Sequence, residues 1–374
     1  MEPKNKNEFH TYESYQPHQP KIDMPKGNWV TRINAWLKKH WKPVLAVIVL
    51  IVIIIGSILT YLFSQLKFES IKGTKTISKT KIYSPLTGVE TDEASTKRPV
   101  TAIMIENSPD ARPQSGLQEG GVIFEAIAEG GITRFLVLYQ EAQPQLIGPV
   151  RSVRPYYVDW LAAFDPSVAH VGGSANALKE VRNGSYKDID QFFNANTYWR
   201  AKDRYAPHNV YTSFEKIDQL NKQKGYTSSN FTAFPRKDDT KSATPNATSI
   251  SVPISSALFN SSYSYNPEAN SYVRMQAGKP HTDRERGQIT PKVIIVVEAP
   301  MSIVMEDGAR EQIQTIGSGK ATVFQDGTAT AATWSKASKK EQIKFKDSAG
   351  KEIPFNRGQT WITVIPTGKT PTWQ

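Results

Sequence analysis

The chain has 374 residues, with 46 Lys and Arg against 35 Asp and Glu, and it contains no cysteine. The lack of cysteine excludes disulfide bonds, thiol catalysis and a lipid-modified cysteine. The formal net charge of +11 favours polyanionic neighbours such as wall polymers or lipid head groups. Because residues 64–374 contain no basic run with interleaved aromatic residues, we expect no nucleic-acid partner.

The first 42 residues form a polar tail. Residues 1–27 are rich in Asn, Gln, His, Pro and Lys and have too few apolar groups to offset ordering entropy, so we predict disorder. From Asn28 to Lys42, Trp and aliphatic residues at helical spacing alternate with basic ones. This pattern fits an interfacial helix with its indoles at head-group level, and it fits equally a merely basic flank.

A membrane span follows. Val44 to Phe63 is a run of twenty residues without a charge, which as a helix covers about 30 Å. Fifteen of the twenty are Val, Ile, Leu or Phe, which favours insertion by about −6 kcal/mol. The run is longer than the apolar region of a cleavable signal peptide, and no small-x-small site follows it. We predict one uncleaved transmembrane helix over residues 43–63, a signal anchor.

The flanks of the span predict its orientation. Five basic residues and no acid lie between Lys26 and Lys42, which favours a cytoplasmic N-terminus, and a large downstream domain translocates largely regardless of its own charge. The prediction is a single-pass protein of the cell membrane with residues 1–42 in the cytoplasm and the bulk extracellular. Residues 64–81 are polar and basic and are predicted to form a stalk.

The body begins near residue 82, and its first strong strand is VTAIMIEN (100–107). In GVIFEAIAEGGITRFLVLYQ (121–140), two β-prone runs meet at Gly130-Gly131. This arrangement predicts a hairpin with a turn of the primed type.

A two-residue hairpin loop would pair Glu129 with Ile132 and Ile127 with Arg134. Glu125, Glu129 and Arg134 would then share one face of the sheet. They could form a functional carboxylate pair beside a guanidinium, or a salt-bridge ladder on an open face.

GPVRSVRPYYVDWLAAFD (148–165) predicts a helix with Pro155 in its first turn. Arg151 and Arg154 stand at its entrance. Two guanidiniums beside a helix N-terminus suit a carboxylate or phosphate ligand. The alternative is that they pair with the hairpin carboxylates inside the domain.

SVAHVGGSANALKEVRNG (167–184) predicts a strand, a glycine turn and a helix that begins after Ser174 and ends at Gly184. Such a turn exposes backbone N–H groups at a sheet edge, where α/β folds hold ligands. Because the spacing is not G-x-S-x-G, Ser174 is typical of a cap rather than a nucleophile. His170 could be a base, a ligand or a core histidine.

The RYAPHN loop precedes a helix that ends at Gly225, for which Thr212 and Glu215 are predicted to form a capping box. Polar loop residues are good functional candidates. The candidates in this loop are Arg204, His208 and Asn209.

Residues 227–247 are rich in Ser, Thr, Asn, Asp and Lys and predict a linker. It would separate an α+β or α/β N-terminal domain, residues 82–226, from a mainly antiparallel β C-terminal domain, residues 248–374. In the latter, Asp326-Gly327 and residues 348–350 are predicted hairpin turns.

Within KPHTDRERG (279–287), His281 and Asp283 resemble a metal pair, but no second cluster would fix its geometry. We therefore expect no metal site, and no cofactor motif is present.

Eight motifs carry a resemblance over about 290 residues: SPLTG (84–88), IMIEN (103–107), ARPQSGL (111–117), EGGITRF (129–135), GPVRSVRPYY (148–157), HVGGS (170–174), APHN (206–209) and GQTWITVIP (358–366). They resemble the YerB-like family of Gram-positive envelope proteins, a domain of unknown function with an N-terminal and a C-terminal part. Many members look like lipoproteins, so the resemblance implies an envelope location and this domain plan. It carries no established reaction, and here the transmembrane helix takes the place of the lipid anchor.

These patterns predict a membrane-anchored envelope protein that binds anionic wall polymer, or a peptidoglycan-synthesis protein, as a non-enzymatic module or scaffold. The alternative is an envelope hydrolase or transferase that uses His170, His208, Glu125 and Glu129. No motif has a known catalytic spacing, so no catalytic residue is assigned. The candidate ligand-binding residues, expected on one face of the N-terminal domain, are Arg112, Glu125, Arg134, Arg151, Arg154, His170, Ser174, Arg204, His208 and Asn209.

Overall fold

The computed structural model describes residues 29–72, 81–304 and 310–374. The chain divides into two compact units, Met1–Lys79 and Thr80–Gln374, and each is described by itself. The predicted disordered tail, residues 1–27, and residues 73–80 of the predicted stalk lie outside the described residues.

The first unit contains one long apolar helix, α1 (Trp29–Lys72). By length and composition, the stretch Ile33–Gln65 within it can cross a membrane. The helix is kinked, because His40 has non-helical angles (φ −120°, ψ 19°) and Pro43 lies inside the helix. Proline lacks an N–H, and its ring clashes with the carbonyl of residue 39, which explains a kink at this point.

The second unit has four short helices and twenty-five strands among the described residues. The helices are α2 (Glu93–Thr96), α3 (Pro155–Leu161), α4 (Ala175–Val181) and α5 (Phe214–Lys224). The strands before residue 240 are β1 (Ile82–Tyr83), β2 (Glu90–Thr91), β3 (Thr101–Glu106), β4 (Val122–Glu129), β5 (Ile132–Tyr139), β6 (Ser167–Ala169), β7 (Lys187–Asp188), β8 (Trp199–Arg200), β9 (Val210–Tyr211) and β10 (Arg236–Lys237).

The later strands are β11 (Ser249–Val252), β12 (Ser261–Asn266), β13 (Ser271–Gln276), β14 (Lys279–Pro280), β15 (Thr282–Asp283), β16 (Gly287–Gln288), β17 (Val293–Ala299), β18 (Met301–Val304), β19 (Arg310–Ile313), β20 (Gly317–Gln325), β21 (Thr328–Lys336), β22 (Lys344–Lys346), β23 (Phe355–Asn356), β24 (Thr360–Pro366) and β25 (Thr372–Trp373). The α/β region followed by a mainly antiparallel β region confirms the predicted fold class.

One large sheet runs through both regions, in the order β22-β21-β20-β17-β24-β4-β5-β3-β6-β7. The two regions meet where β24 pairs in parallel with both β17 and β4. Strands that are covered on both faces need apolar side chains in both directions, and β4, β17 and β24 have them. Residues 227–247, the predicted linker, contribute β10, which pairs with β23.

Helices α3 and α4 cover one face of this sheet, where Tyr157 and Trp160 pack with Phe124 and Leu136. On the other face, Phe214 of α5 packs with Phe135 and Trp361. A second sheet, β14-β13-β12-β11-β25, also packs against the large sheet, through apolar residues of both sheets. The large sheet is therefore the middle layer of the unit.

The Gly130-Gly131 hairpin has the predicted loop, since both glycines have positive φ and Glu129 pairs with Ile132. The rest of the predicted register is wrong, because Ala128 is an extra residue in a β-bulge. Arg134 consequently pairs with Ala126 rather than Ile127. A shift of one residue reverses the face on which a side chain lies.

Two predicted helix starts have different outcomes. Ser174 precedes α4 as its N-cap, as predicted, although its hydroxyl makes no capping hydrogen bond. The predicted capping box at Thr212 is wrong by one residue, because Ser213 is the N-cap of α5 and accepts from the backbone N–H of Lys216. Thr212 instead donates to the carbonyl of Thr197 at 2.9 Å.

Candidate functional site

Strands β3, β6 and β7 are parallel to one another, so their carboxyl ends meet at one edge of the large sheet. We call this the carboxyl edge and define it by residues 106–114, 170–174 and 189–194. Ligands of α/β proteins commonly bind at such an edge.

A glutamate at the end of β3 is the centre of a charged cluster. Glu106 Oε1 lies 2.9 Å from His208 Nδ1 and accepts from Ser108 Oγ at 3.0 Å. The Arg151 Nε atom lies 3.2 Å from the same oxygen. We call Glu106, Ser108, Arg151 and His208 the Glu106 cluster. Its carboxylate is buried, whereas about a quarter of each of two neighbouring side chains is exposed, 26% for Arg151 and 23% for His208.

Backbone contacts hold the cluster in place. The Glu106 N–H donates to the carbonyl of Pro149, and the Arg151 N–H donates to the carbonyl of Met104. The segment before α3 is thereby fastened along the end of β3. Glu106 Oε2 is buried without a hydrogen-bond partner among the described residues, so the carboxylate retains acceptor capacity.

Arg112, Arg204 and Asn209 fasten the loops around this cluster. Arg112 donates to the Asn107 side chain and to the carbonyl of Leu258, at 3.1 and 3.0 Å. Arg204 donates to the carbonyls of Asp110 and Pro113, and Asn209 donates to the carbonyl of Arg204 at 3.2 Å. These contacts are to backbone and amide groups of the protein itself.

Glu129, at the end of β4, lies between two guanidiniums. Arg134 Nη2 and Arg154 Nη2 each donate to one of its oxygens at 2.7 Å. Burial raises the pKa of Glu129, but Arg134 and Arg154 outweigh it and lower this pKa to about 2. Arg154 therefore pairs inside the unit with a hairpin carboxylate, the second of the two alternatives considered for it.

Glu125 lies on the opposite face of the large sheet from Arg134, because of the bulge. Its Oε2 atom accepts from Arg274 Nη2 at 2.8 Å and from Trp361 Nε1 at 3.0 Å. Neither the Glu125 nor the Arg274 side chain is exposed. The prediction that Glu125, Glu129 and Arg134 share one face is therefore wrong.

His170 is completely buried beyond β6. Its Nε2 lies 3.0 Å from Asp188 Oδ1, and its Nδ1 lies 2.8 Å from the carbonyl of Gly172. The Gly172 N–H, predicted to be open at the sheet edge, donates to Asp190 Oδ1 at 3.2 Å. Of the three roles considered for His170, a base, a ligand or a core histidine, the structure matches the core histidine. Ser174 is a buried cap.

His281 and Asp283 do not point at a common centre. His281 Nε2 lies 3.2 Å from the Gln114 side-chain oxygen. Asp283 accepts backbone N–H groups from Gln118, Glu285 and Arg286. Burial, together with Arg274 and Arg112, holds the pKa of His281 well below its usual range, so this ring is neutral.

The structure thus divides the predicted candidates. Arg151 and His208 meet at Glu106, and Arg112, Arg204 and Asn209 fasten the adjoining loops. Arg134 and Arg154 meet at Glu129, whereas Glu125, His170 and Ser174 are buried elsewhere. Sequence reasoning missed Glu106 and Ser108, although a polar run directly after a buried strand is a usable signal.

The family follows from comparison with known proteins. Residues 86–227 match the N-terminal domain, and residues 250–362 the C-terminal domain, of a family described as protein of unknown function (DUF3048). The chain belongs to this family.

One relative is the "Putative lipoprotein YerB" of Bacillus subtilis (strain 168). It is 36% identical over 292 residues, which cover 76% of this chain and 87% of the relative. The crystal structure of YerB protein from Bacillus subtilis superimposes with a TM-score of 0.70 at 33% sequence identity, covering 78% of this chain and all of that chain.

Proposed function

We propose that this chain is a membrane-anchored envelope protein whose outer unit binds anionic cell-wall polymer, or a wall-synthesis partner, without catalysing a reaction. In this proposal residues 43–63 of α1 form a single-pass signal anchor, the N-terminus lies in the cytoplasm, and residues 64–374 are extracellular. The apolar helix and the lipoprotein relative support the anchoring.

One observation carries the binding role: Arg151 and His208 are held side by side on a buried carboxylate with part of each side chain open to solvent. A buried carboxylate fixes the position of both side chains without covering them, which suits repeated binding of an anion by the Arg151 guanidinium. Exposed aromatic rings nearby add apolar contact area, since Tyr205 precedes His208 and is 91% exposed, and Phe192 follows β7 and is 66% exposed.

The contact of Ser108 with His208 favours a second candidate, an envelope hydrolase or transferase. Ser108 Oγ lies 3.1 Å from His208 Nδ1, but Glu106 Oε1 contacts that same nitrogen. A serine nucleophile needs the base at one ring nitrogen and the orienting carboxylate at the other. The opposite nitrogen, Nε2, lies 3.9 Å from Asp110 Oδ2. This distance is too long for a hydrogen bond, so Asp110 does not orient the ring as a catalytic carboxylate would. Of the other residues predicted for this alternative, His170 and Glu125 are buried apart from each other and Glu129 is held between Arg134 and Arg154, so binding is the better-supported function.

Topology is tested by labelling. Because the chain has no cysteine, Ser348→Cys and Ser14→Cys each provide a unique site for a membrane-impermeant maleimide. The proposal expects labelling of the exposed Ser348→Cys variant in intact cells and of Ser14→Cys only after lysis. The reverse result would place the outer unit in the cytoplasm and overturn the location.

Binding is tested by co-sedimentation of the full chain, in nanodiscs, with isolated Gram-positive wall sacculi. Arg151→Lys keeps the charge but loses the planar fork, so we expect weaker retention with an unchanged melting temperature. Arg357→Lys is the matched control, because Arg357 is 27% exposed and pairs through its Nε with Asp238. If Arg151→Lys and His208→Ala are retained as strongly as the wild type, the Glu106 cluster is not the binding site.

Activity of the second candidate is tested with Ser108→Ala. A hydrolase that uses Ser108 would lose sacculus-degrading activity in this variant, whereas a binding protein shows no such activity in the wild type either.

A further inference from the structure

Two open clefts meet at Trp199, which lines both. The first has a volume of about 750 Å³ and is also lined by Gln145, Glu215 and Lys216. The second has a volume of about 370 Å³ and is also lined by residues 200–203, Tyr211 and Arg284. We call the pair the Trp199 groove. Each volume lies in the range of ligand sites, about 300–1,000 Å³.

Trp199 is held by a short ladder. It pairs with Tyr211 where β8 and β9 form a two-stranded sheet, and the Tyr211 ring is buried. The Tyr211 hydroxyl lies beside Arg284 without a hydrogen bond of good geometry. The groove therefore has a positioned aromatic ring at its centre and the buried Tyr211 hydroxyl, beside Arg284, in its wall.

Cations outnumber acids along the groove. Its lining contains four cations, Arg200, Lys202, Lys216 and Arg284, and two acids, Asp203 and Glu215. Asp203 is already paired with Arg284 at 2.6 Å. Lys202 is exposed on the rim, so the groove presents a net positive charge to solvent.

The groove adjoins the Glu106 cluster through one loop. Residues 199–203 line the groove, and Arg204, His208 and Asn209 follow within the same loop. Asn209 joins the two places, because its side chain accepts from Arg200 Nη1 at 2.7 Å and donates to the carbonyl of Arg204. A long ligand in the groove would thus continue toward the carboxyl edge.

We propose that the Trp199 groove binds a linear polyol polymer that carries regularly spaced negative charges. The indole face packs against the carbon backbone of the polyol, and the cations neutralise its anionic groups. The exposed side chain of Gln145 forms hydrogen bonds with the hydroxyl groups of the polyol. Clefts that are open to solvent admit a chain that extends beyond both ends, as a polymer must. The inference rests on the proposed function and names its ligand class and a further binding surface beside the Glu106 cluster.

The test is calorimetric titration of the full chain, in nanodiscs, with synthetic oligo(glycerol phosphate) and with a neutral N-acetylglucosamine oligomer of equal length. The charged oligomer should bind and the neutral one bind at least about tenfold more weakly. Trp199→Ala should weaken the charged complex about tenfold, as truncation of a central aromatic anchor does. Lys202→Gln should weaken it about threefold and reduce its salt dependence.

Matched controls separate the groove from the rest of the surface. Trp373→Ala removes another partly exposed indole, and Lys340→Gln removes another exposed lysine, and neither should alter binding. Lys202 is exposed, so its variant is informative even if Trp199→Ala fails to fold.

Three results would overturn the inference. Equal binding by all variants would show that the groove is not the site, while retention on sacculi left the proposed function intact. Equal affinity for the charged and the neutral oligomer would show that charge does not contribute to binding. If sacculi retain the wild-type chain but the chain binds neither oligomer, the ligand class is excluded. If sacculi do not retain the wild-type chain either, the proposed function itself is overturned.

Discussion

Arg274 of β13 and Glu125 of β4 form an ion pair between the two packed sheets, with Nη2 2.8 Å from Oε2 and neither side chain exposed. The Arg274 guanidinium also stacks over the Trp361 ring at 4.3 Å and donates to the Tyr263 hydroxyl at 3.1 Å. Each buried charge would otherwise carry a large desolvation cost, so the pair requires these additional hydrogen-bonding and stacking partners.

Removal of one partner from this pair should be costly. Arg274→Met leaves the Glu125 carboxylate buried without its counterion, and we expect a loss of about 3–5 kcal/mol in the free energy of unfolding. Glu125→Gln combined with Arg274→Met removes both charges and should restore part of that loss. Urea unfolding followed by near-UV circular dichroism measures both, and a double variant less stable than Arg274→Met would contradict the interpretation.

Residues 82–374 should fold without the apolar helix, as a soluble monomer or weak oligomer. They lie within one compact unit, and β24 joins the two regions through parallel pairing on both of its sides. We therefore expect a single cooperative transition in calorimetry. Two separated transitions would instead support independent domains on either side of residues 227–247, and an insoluble fragment with no transition would refute the prediction altogether.

Glu129 should make stability depend on acid pH. Burial raises the pKa of Glu129, but Arg134 and Arg154 outweigh it and bring the folded-state pKa to about 2, below the value of about 4.3 in an unfolded chain. The resulting stabilisation is present above about pH 4.5 and is lost as the pH falls toward about 2.

Melting temperatures measured across this window check the assignment. Glu129→Gln has no carboxylate to titrate, so its melting temperature should fall less steeply with acid than that of the wild type. Glu268→Gln, at an exposed position, is the control and should keep the wild-type slope. Parallel slopes for Glu129→Gln and the wild type would contradict this role of the ion pair.

Lys336 should make stability depend on alkaline pH, because burial rather than ion pairing lowers its pKa. Burial lowers the pKa of Lys336 to about 8, although Asp159 and Glu341 act to raise it. The unfolded chain, with a lysine pKa of about 10.4, binds more protons between these values. Stability from this group therefore rises with pH from about 8 to about 10.4.

Unfolding free energies of the wild type and Lys336→Met at both ends of this window measure the effect. The difference between the two proteins should change with pH, because the variant has no amine to deprotonate. Lys344→Met, at an exposed position, should track the wild type, and a pH-independent difference for Lys336→Met would refute the prediction.

Local signals in the sequence predicted much of this architecture. The apolar run predicted the long helix, Gly130-Gly131 predicted the primed hairpin turn, and Ser174 marked the start of α4. Each signal depends on residues within a few positions of one another, where backbone sterics, side-chain period and hydrogen-bonding reach are set by the local sequence.

Only the tertiary structure decided which charges meet. His208 and Glu106 are separated by 102 positions, and Arg274 and Glu125 by 149, so no local pattern specifies either contact. The bulge at Ala128 has no sequence signature here, yet by shifting the register one residue it sends Glu125 and Arg134 to opposite faces. Such pairings result from packing two sheets and three helices against one another, in which the burial of apolar side chains far outweighs the preference of any single charged residue.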